Sequence, residues 1–189
     1  MTGTRRRRAD TRGEIVDTAM ALFAEQGYDK TSLRQIADAV GVTKAALYYH
    51  FRTKEDIVGS ALEDYTRRLT TLIDAAAETP AGAQRNTALV DGLFELFTTT
   101  GGAALRFGQA NPTVMAQLHV GETHLTQLKR LVAILAGDDA PAERTIRATL
   151  AFGALIVGVI GGELEFAGPA EDRAEAARTV ALDLLKPLA

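Results

Sequence analysis

Residues 31–51 constrain the fold of this chain more than any other segment. They form two short stretches with helical spacing of apolar residues, and Gly41 separates the two stretches. Glycine accepts positive φ without a steric penalty, so Gly41 suits a tight turn between two helices. The second stretch carries one cation, two alanines and a Tyr-Tyr-His run. This layout is typical of a helix-turn-helix, whose second helix enters the DNA major groove.

The segments that flank residues 31–51 also predict helices. Ahead of them, apolar residues recur at helical spacing from Asp10, and Gly27 ends the pattern. Behind them, Thr53 and Asp56 have the spacing of a capping box, which predicts a long fourth helix that begins there. We therefore expect a head of three helices and a fourth helix that connects the head with the remainder of the chain.

The remainder of the chain predicts helices only. Glycine and proline residues separate stretches of helical periodicity, and no stretch alternates between apolar and polar residues with period two. The candidate helices span about residues 54–78, 83–99, 102–109, 113–136, 141–167 and 170–186. We therefore predict an all-α fold of about nine helices, in which a three-helix head is attached to a larger helical bundle.

Charge is distributed unevenly along the chain. Residues 1–54 contain ten Lys/Arg and six Asp/Glu, whereas the remaining residues contain eleven Lys/Arg and eighteen Asp/Glu. A basic N-terminal part on an acidic body indicates that only the first part meets a polyanion, although a chance scatter of charge gives the same pattern. Arg5 to Arg8 either contact DNA as a minor-groove arm or form a solubilising tail. The predicted division is a disordered basic arm over 1–9, a helix-turn-helix domain over 10–53 and a larger domain over 54–189.

Composition argues against several function classes. Cysteine is absent, which excludes disulfides and thiolate metal sites and fits a cytoplasmic location. The N-terminal arginines are not followed by the apolar run of a secretory signal, and the most apolar stretch, residues 150–162, is too short to span a membrane. The HExxH, GxSxG and phosphate-loop patterns are also missing. We therefore expect no catalytic site, no metal and no cofactor.

Several short motifs together carry a family resemblance. They are Thr31-Ser32-Leu33, Ile36-Ala37, Gly41-Val42-Thr43, Leu47-Tyr48-Tyr49-His50-Phe51 and Lys54-Glu55, preceded by the apolar helix that ends near Tyr28. In this combination the chain resembles the tetracycline-repressor (TetR) family of bacterial transcription regulators over about residues 10–58. Beyond that point the resemblance is architectural. It implies a homodimer that binds a palindromic operator, usually as a repressor. It also implies that a small molecule, bound in the C-terminal domain, releases the protein from DNA.

The predicted reading helix offers suitable chemistry for DNA. Lys44 lies near its N-terminus, where an ammonium can donate to guanine, and Ala45 and Ala46 permit close approach to thymine methyl groups. A core aromatic cluster is the alternative interpretation of the Tyr-Tyr-His run, but Leu47 and Phe51 already supply the inward positions. The resemblance implies phosphate contacts for the residues that begin the second helix, for those that end the third and for Lys54. Lys54 also lies at the start of the fourth helix, whose free N–H groups attract phosphate. The predicted DNA-binding residues are Thr31, Ser32, Thr43, Lys44, Ala45, Ala46, Tyr48, Tyr49, His50 and Lys54.

An effector pocket is a weaker prediction. Ligand pockets lie between helices and have apolar walls, and the apolar bias of the candidate residues favours a mostly hydrophobic effector. Each of these residues also fits ordinary core packing. The candidates are Phe94, Phe97, Phe107, Met115, Leu118, His119 and Phe152.

A dimer interface is predicted from the small residues near the C-terminus. The candidate helix over 141–167 is apolar on all sides, which implies burial on more than one side. The resemblance implies dimerisation through the last two helices as a four-helix bundle, and the alternative is the core helix of a monomer. The candidates are Ala151, Ala154, Leu155, Gly158, Gly162 and Leu182.

Two alternative functions remain at this point. One is a DNA-binding regulator without a small-molecule effector, which is constitutive or controlled by a protein partner. The other is a helical interaction protein whose head binds protein. The salt dependence of binding separates the second alternative from DNA binding, because phosphate contacts weaken steeply with salt.

Overall fold

The computed structural model describes residues 3–118, 121–160 and 169–186, with the backbone alone at 3–10, 100, 121–124 and 160. The described residues form ten helices and no strand, so the predicted all-α fold is confirmed. The helices are α1 (Gly3–Gln26), α2 (Leu33–Val40), α3 (Lys44–His50), α4 (Lys54–Glu78), α5 (Ala83–Thr98), α6 (Thr100–Ala110), α7 (Pro112–Gln117), α8 (Gly121–Ala136), α9 (Ala142–Ile160) and α10 (Ala170–Leu184).

Local caps set the ends of α2 and α3. Ser32 is the N-cap of α2: its hydroxyl accepts from the Gln35 N–H at 3.2 Å, and the Gln35 side chain accepts from the Ser32 N–H at 2.8 Å. Gly41 ends α2 in the left-handed region with φ 78°, as the turn requires. Thr43 then begins α3, since its hydroxyl accepts from the Ala46 N–H at 3.1 Å. A cap of this kind stabilises a helix by about 1 kcal/mol.

The predicted capping box begins α4. The Thr53 hydroxyl accepts from the Asp56 N–H at 3.1 Å, and the Asp56 carboxylate accepts from the N–H groups of Arg52 and Thr53, both at 3.0 Å. The helix has 25 residues, or about 37 Å at 1.5 Å per residue. Because it packs against α1 as well as α5 and α8, α4 connects the head with the body.

Three segments differ from the sequence prediction. Helix α1 begins at Gly3, so residues 3–9 continue a helix instead of forming the predicted disordered arm. Extending an existing helix costs far less than nucleating one, and arginine and alanine are good helix formers. The predicted helix over 113–136 is two helices, α7 and α8, and Gly121 at the start of α8 is a poor residue for a helix interior. The last part of the predicted 141–167 helix lies outside the described residues.

Head and body share one hydrophobic core. Phe23 and Tyr28, at the end of α1 and just after it, pack against Phe107 of α6, with ring centroids 5.8 and 5.4 Å from that ring. The same core continues through Leu69 of α4 and Leu93 of α5. The predicted domain boundary between residues 53 and 54 therefore does not divide the hydrophobic core.

Two further properties concern only the part of the chain that the structure describes. None of its helices has the length and hydropathy needed to cross a membrane. No three of its His, Asp or Glu side chains are grouped closely enough to hold a metal ion.

Candidate nucleic-acid interface

Helix α3 has one buried face and one exposed face. Leu47 is fully buried, and Phe51, directly after the helix, is 2% exposed. On the other face, Tyr48 is 43% and Tyr49 is 63% exposed, and Lys44 is exposed as well. Large apolar side chains that are exposed next to each other often mark an interaction surface, whereas single exposed ones are normal. The Tyr-Tyr-His run therefore does not form the core aromatic cluster that the sequence allowed.

The exposed face of α3 combines groups that suit a DNA groove. The Lys44 ammonium lies 5.5 Å from the centroid of the Tyr48 ring, one turn further along the helix. Tyr49 and His50 form an edge-to-face pair with centroids 5.3 Å apart. Ala45, exposed between these larger groups, leaves room for close approach. A cation at the helix start suits a base edge, and hydroxyls near the helix end suit phosphate oxygens.

Of the two residues with hydroxyls before α2, only Ser32 is exposed to a ligand. Thr31 is 1% exposed, and its hydroxyl donates to the carbonyl of Gly27 at 2.8 Å. The predicted DNA contact of the Thr31 side chain is therefore wrong, because this hydroxyl satisfies a carbonyl at the end of α1. Ser32 is exposed and lies at the α2 N-terminus. The capping-box spacing of Ser32 and Gln35 was the sequence signal that distinguishes the two positions.

Lys54 belongs to a set of intramolecular contacts that the sequence did not reveal. Its ammonium donates to the carbonyl oxygen of Tyr28 at 2.5 Å and lies 4.1 Å from the centroid of the Tyr28 ring. The Tyr28 hydroxyl donates to Glu55 Oε1 at 2.5 Å. We call Tyr28, Lys54 and Glu55 the Tyr28 clamp. It ties the loop after α1 to the first turn of α4.

The Tyr28 clamp also affects ionisation. The hydrogen bond from Tyr28 lowers the pKa of the Glu55 carboxyl below its ordinary value. Burial, together with that hydrogen bond, raises the pKa of the Tyr28 hydroxyl. Glu55 is therefore a carboxylate at neutral pH, and Asp56 adds a second acidic side chain to the first turn of α4. Two carboxylates there repel the phosphate that the N-terminus of a helix otherwise attracts. The helix N-terminus therefore no longer supports the predicted phosphate contact of Lys54.

Two arginines add positive charge near α3. Arg34 and Asp38 of α2 form an ion pair at 3.8 Å that is largely exposed, so its contribution to stability is small. Arg52 is exposed between α3 and α4 and has no ion-pair partner among the described residues. The sequence interpretation left Arg52 out. Its position directly before the N-cap of α4 was the available signal.

The residues predicted to line an effector pocket mostly pack in the core. Phe97 and Phe152 are 1% and 8% exposed, and their rings meet edge to face with centroids 5.9 Å apart. Phe107 is 5% exposed and packs against rings from the head. Aromatic rings gain both buried area and edge-to-face attraction in such contacts, so these three do not leave an open apolar pocket. Phe94, Met115 and Leu118 are half-buried, and His119 lies outside the described residues.

Half of the predicted dimer-interface residues serve the protomer itself. Ala151 and Leu155 are 1% and 3% exposed in the core, and a Cβ added to Gly158 would lie 2.5 Å from the Cβ of Ala177 on α10. The prediction for these three residues is wrong, because all three are already buried within one protomer, where Gly158 brings α9 close to α10. Ala154 and Leu182 are half-buried, and Gly162 lies outside the described residues.

The other face of α9 carries an exposed apolar strip. Ile146, Leu150 and Val157 are 58%, 54% and 40% exposed, and Gly153 lies between them with open space where its Cβ would be. We call these four residues the α9 strip. Their spacing places them on one side of the helix. Val180 of α10, 49% exposed, is a further apolar side chain on the surface.

Comparison with known proteins relates the head to one family. Residues 15–61, from α1 into the start of α4, match the family model described as bacterial regulatory proteins of the tetR family. Over these residues, the chain matches the TetR family. AcrR of Shigella flexneri, an HTH-type transcriptional regulator, is 43% identical over 60 residues, which cover 32% of this chain and 28% of that protein. The chain spans about a quarter of the length of the curated relatives that it matches.

Structural similarity to known regulators extends beyond the head. The ketosteroid transcriptional regulator KstR2 of Mycobacterium tuberculosis superposes with a TM-score of 0.66 at 22% identity, covering 91% of this chain and 93% of that one. AibR, solved in complex with isovaleryl coenzyme A and operator DNA, gives a TM-score of 0.65 at 18% identity and covers 89% of this chain and 96% of that one. At these identities the similarity establishes the fold.

Proposed function

We propose that this protein is a sequence-specific DNA-binding transcription regulator, a homodimeric repressor that a small, mostly hydrophobic effector releases from a palindromic operator. The exposed face of α3 carries this proposal. It presents Lys44, Tyr48 and Tyr49 to solvent on a helix whose opposite side is held by Leu47 in the core. The match of residues 15–61 to the tetR family model supports the same function.

Each exposed group of the head has a role in this proposal. Lys44 contacts a base edge, since the first turn of a recognition helix lies deepest in the major groove. Tyr48 contacts a base or a phosphate, and Tyr49 contacts phosphate. The remaining contacts come from Ser32, Thr43, Ala45, Ala46 and His50. Lys54 acts first by positioning α4 through the Tyr28 clamp, and any phosphate contact it makes is additional.

The α9 strip is the proposed contact with a second copy of the chain. A two-fold axis at the strip would bring Ile146, Leu150 and Val157 against their counterparts and remove exposed aliphatic side chains from water. Such a dimer presents two copies of α3. For a symmetric operator, their separation should be about 34–36 Å, one turn of DNA, or a multiple of that distance.

Release by an effector requires coupling between body and head. Phe107 of α6 contacts Tyr28, and the Tyr28 clamp contacts α4, so a shift of α6 or α4 reaches the head through packed side chains. A coupling free energy of about 1–3 kcal/mol changes operator affinity roughly 5- to 150-fold. AibR, which shares this fold, was solved with both operator DNA and isovaleryl coenzyme A. We expect this regulator to act in the cytoplasm.

A regulator without an effector in the body is the second candidate function. The packed aromatic core favours it, because Phe97 and Phe152 fill space that the sequence assigned to a pocket. Under this alternative, small hydrophobic compounds would leave operator affinity unchanged.

Selection of bound fragments from a random duplex library at moderate salt tests DNA binding directly. We expect the wild-type protein to enrich an inverted repeat. Lys44→Ala should relax preference at one position of each half-site, whereas Lys129→Ala, an exposed lysine of α8, should leave the repeat unchanged. If a folded dimeric protein enriches no sequence, the proposed function is wrong.

A further inference from the structure

A cleft of about 640 Å³ lies where α1, α4 and α6 meet, at the junction of head and body. Its floor is apolar, with Val16 and Met20 from α1, Ala61 from α4 and Ala103 from α6. Clefts of about 300–1,000 Å³ with mostly apolar walls and a few polar groups are the usual form of small-molecule sites. None of the residues predicted to bind an effector lines this cleft.

Each of the three helices contributes one guanidinium to this cleft. Arg12 of α1 donates to the Ser60 hydroxyl at 2.6 Å, and Arg68 of α4 pairs with Asp64 at 2.7 Å. Arg106 of α6 has no ion-pair or hydrogen-bond partner within the described ranges. Asp17 is the other acidic residue in the lining. With three arginines against Asp17 and Asp64, the lining carries more positive than negative charge.

Arg106 also lines a second cleft of about 440 Å³, which adjoins the first along the seam between α1 and α6. Phe107 and Tyr28 form part of its wall. A guanidinium that lies between two clefts can reach a ligand in the larger one while its own helix contacts the Tyr28 clamp. Arginine presents paired N–H donors that match a carboxylate or phosphate.

We propose that the cleft between α1, α4 and α6 binds a small organic anion, with its apolar part on the alanine and methionine floor and its carboxylate or phosphate on Arg106. This is a regulatory site outside the core of the body, and its effect on DNA rests on the proposed function. A ligand there contacts α1 of the head and α6 of the body at the same time. Binding therefore favours one orientation of the head, and operator affinity changes with it.

Calorimetric titration of the full-length protein tests the chemistry of the site. The probes are octanoate, octyl phosphate, octanamide and inorganic phosphate. We expect one or both of the amphipathic anions to bind, and octanamide and inorganic phosphate to bind at least tenfold more weakly. Octanoate against octyl phosphate identifies the preferred headgroup. Equal binding of octanamide and the anions would overturn the assignment of an anion site, and so would the absence of binding by both anions.

Two pairs of variants locate the site. Arg106→Ala should weaken anion binding at least tenfold, whereas Arg144→Ala, an exposed arginine of α9, should not change it. Gly13 lines the cleft, and a Cβ added there meets nothing within 4 Å. Gly13→Leu should therefore fill the cleft and abolish binding without unfolding the protein, while Gly13→Ala, with the same gain in helix propensity, should still bind.

The outcomes separate this site from the proposed function. Unchanged anion binding in both Arg106→Ala and Gly13→Leu would place the ligand elsewhere and overturn the proposal. Operator binding is measured in parallel without any anion. If the wild-type protein selects an operator but binds no anion, only the anion site is wrong. If it selects no operator, the proposed function fails whatever the anion titration gives.

Discussion

The contacts that organise the head differ from those that organise the C-terminal pair of helices. In the head, hydrogen-bonding side chains at fixed positions set the helix ends, as Ser32, Thr43 and Thr53 do for α2, α3 and α4. In the pair α9 and α10, small residues bring two helices into contact, with Gly158 against Ala177. Caps have a sequence signature with a known partner and spacing. Contacts between small residues have no such signature, because the sequence does not show which other helix packs against them.

The same difference extends to the exposed surfaces. Helix α3 exposes a lysine and two tyrosines, which carry donors for a polar partner. The α9 strip exposes only aliphatic side chains and a glycine, which suits an apolar partner. Under the proposed function, the head therefore contacts DNA with one surface and the body contacts a second copy of the chain with the other.

Leu150→Asp should have the largest effect, because it introduces a charge into the proposed two-fold contact. We expect the dimer to become a monomer in light scattering. Operator affinity should fall by about 10²- to 10⁴-fold, since the second half-site is no longer held at high effective concentration. Leu125→Asp is the matched control, because Leu125 of α8 is 51% exposed and lies off the strip. A Leu150→Asp protein that stays dimeric would exclude the α9 strip as the interface.

The two faces of α3 should respond oppositely to truncation. Leu47→Ala removes a fully buried side chain and should lower the free energy of unfolding by about 2–5 kcal/mol in urea denaturation. Tyr48→Ala, on the exposed face, should change it by about 0.5 kcal/mol or less while weakening operator binding. Loss of stability in Tyr48→Ala equal to that in Leu47→Ala would contradict the assignment of faces.

Gly158→Ala tests whether close contact holds α9 and α10 together. The added methyl overlaps Ala177, so we expect a loss of about 1–3 kcal/mol in the free energy of unfolding. Ala177→Gly in the same chain should recover part of that loss, which a double-mutant cycle measures. Additive effects of the two substitutions would mean that these residues are not in contact in solution.

Lys44 and Lys54 should differ in how they affect DNA binding. Lys44→Ala should weaken the free energy of operator binding by about 1–3 kcal/mol and relax the preference at one base position. If Lys54 acts through the Tyr28 clamp, Lys54→Ala should weaken all operators and leave the slope of affinity against salt unchanged. A slope lowered by about one unit would instead restore the phosphate contact predicted from the sequence.

Tyr28→Phe should have the smallest effect, because it removes one hydroxyl and keeps the ring. We expect the free energy of unfolding to fall by about 1 kcal/mol or less, since Glu55 is largely in solvent. The folded-state pKa of Glu55 lies below its ordinary value of 4.5, so this stabilisation is complete above pH 4.5 and is lost as the pH falls through the lower folded-state pKa. Acid denaturation curves of wild type and variant should therefore converge at low pH. A constant difference between them would exclude Glu55 as the partner.

The sequence predicted local features well and long-range contacts poorly. The bounds of α4 and the turn at Gly41 follow from caps and glycine conformation, which act within a few residues. The Tyr28 clamp joins residues 26 and 27 positions apart, and no local pattern relates them. Helical periodicity identified α9 as apolar on several sides but could not tell which side faces α10. Leu155, which is buried within the protomer, was therefore assigned to the dimer interface, and the exposed Ile146 was not considered.

Site-specific photo-crosslinking tests the central claim most directly, namely that α3 faces DNA and the α9 strip faces a second copy. Benzoylphenylalanine is placed at Tyr48 in one preparation and at Val157 in another, and each is irradiated with the selected duplex. We expect a protein–DNA adduct from the Tyr48 position and a covalent protein dimer from the Val157 position. A bound duplex that gives no adduct at Tyr48, or a DNA adduct at Val157, would contradict the assignment.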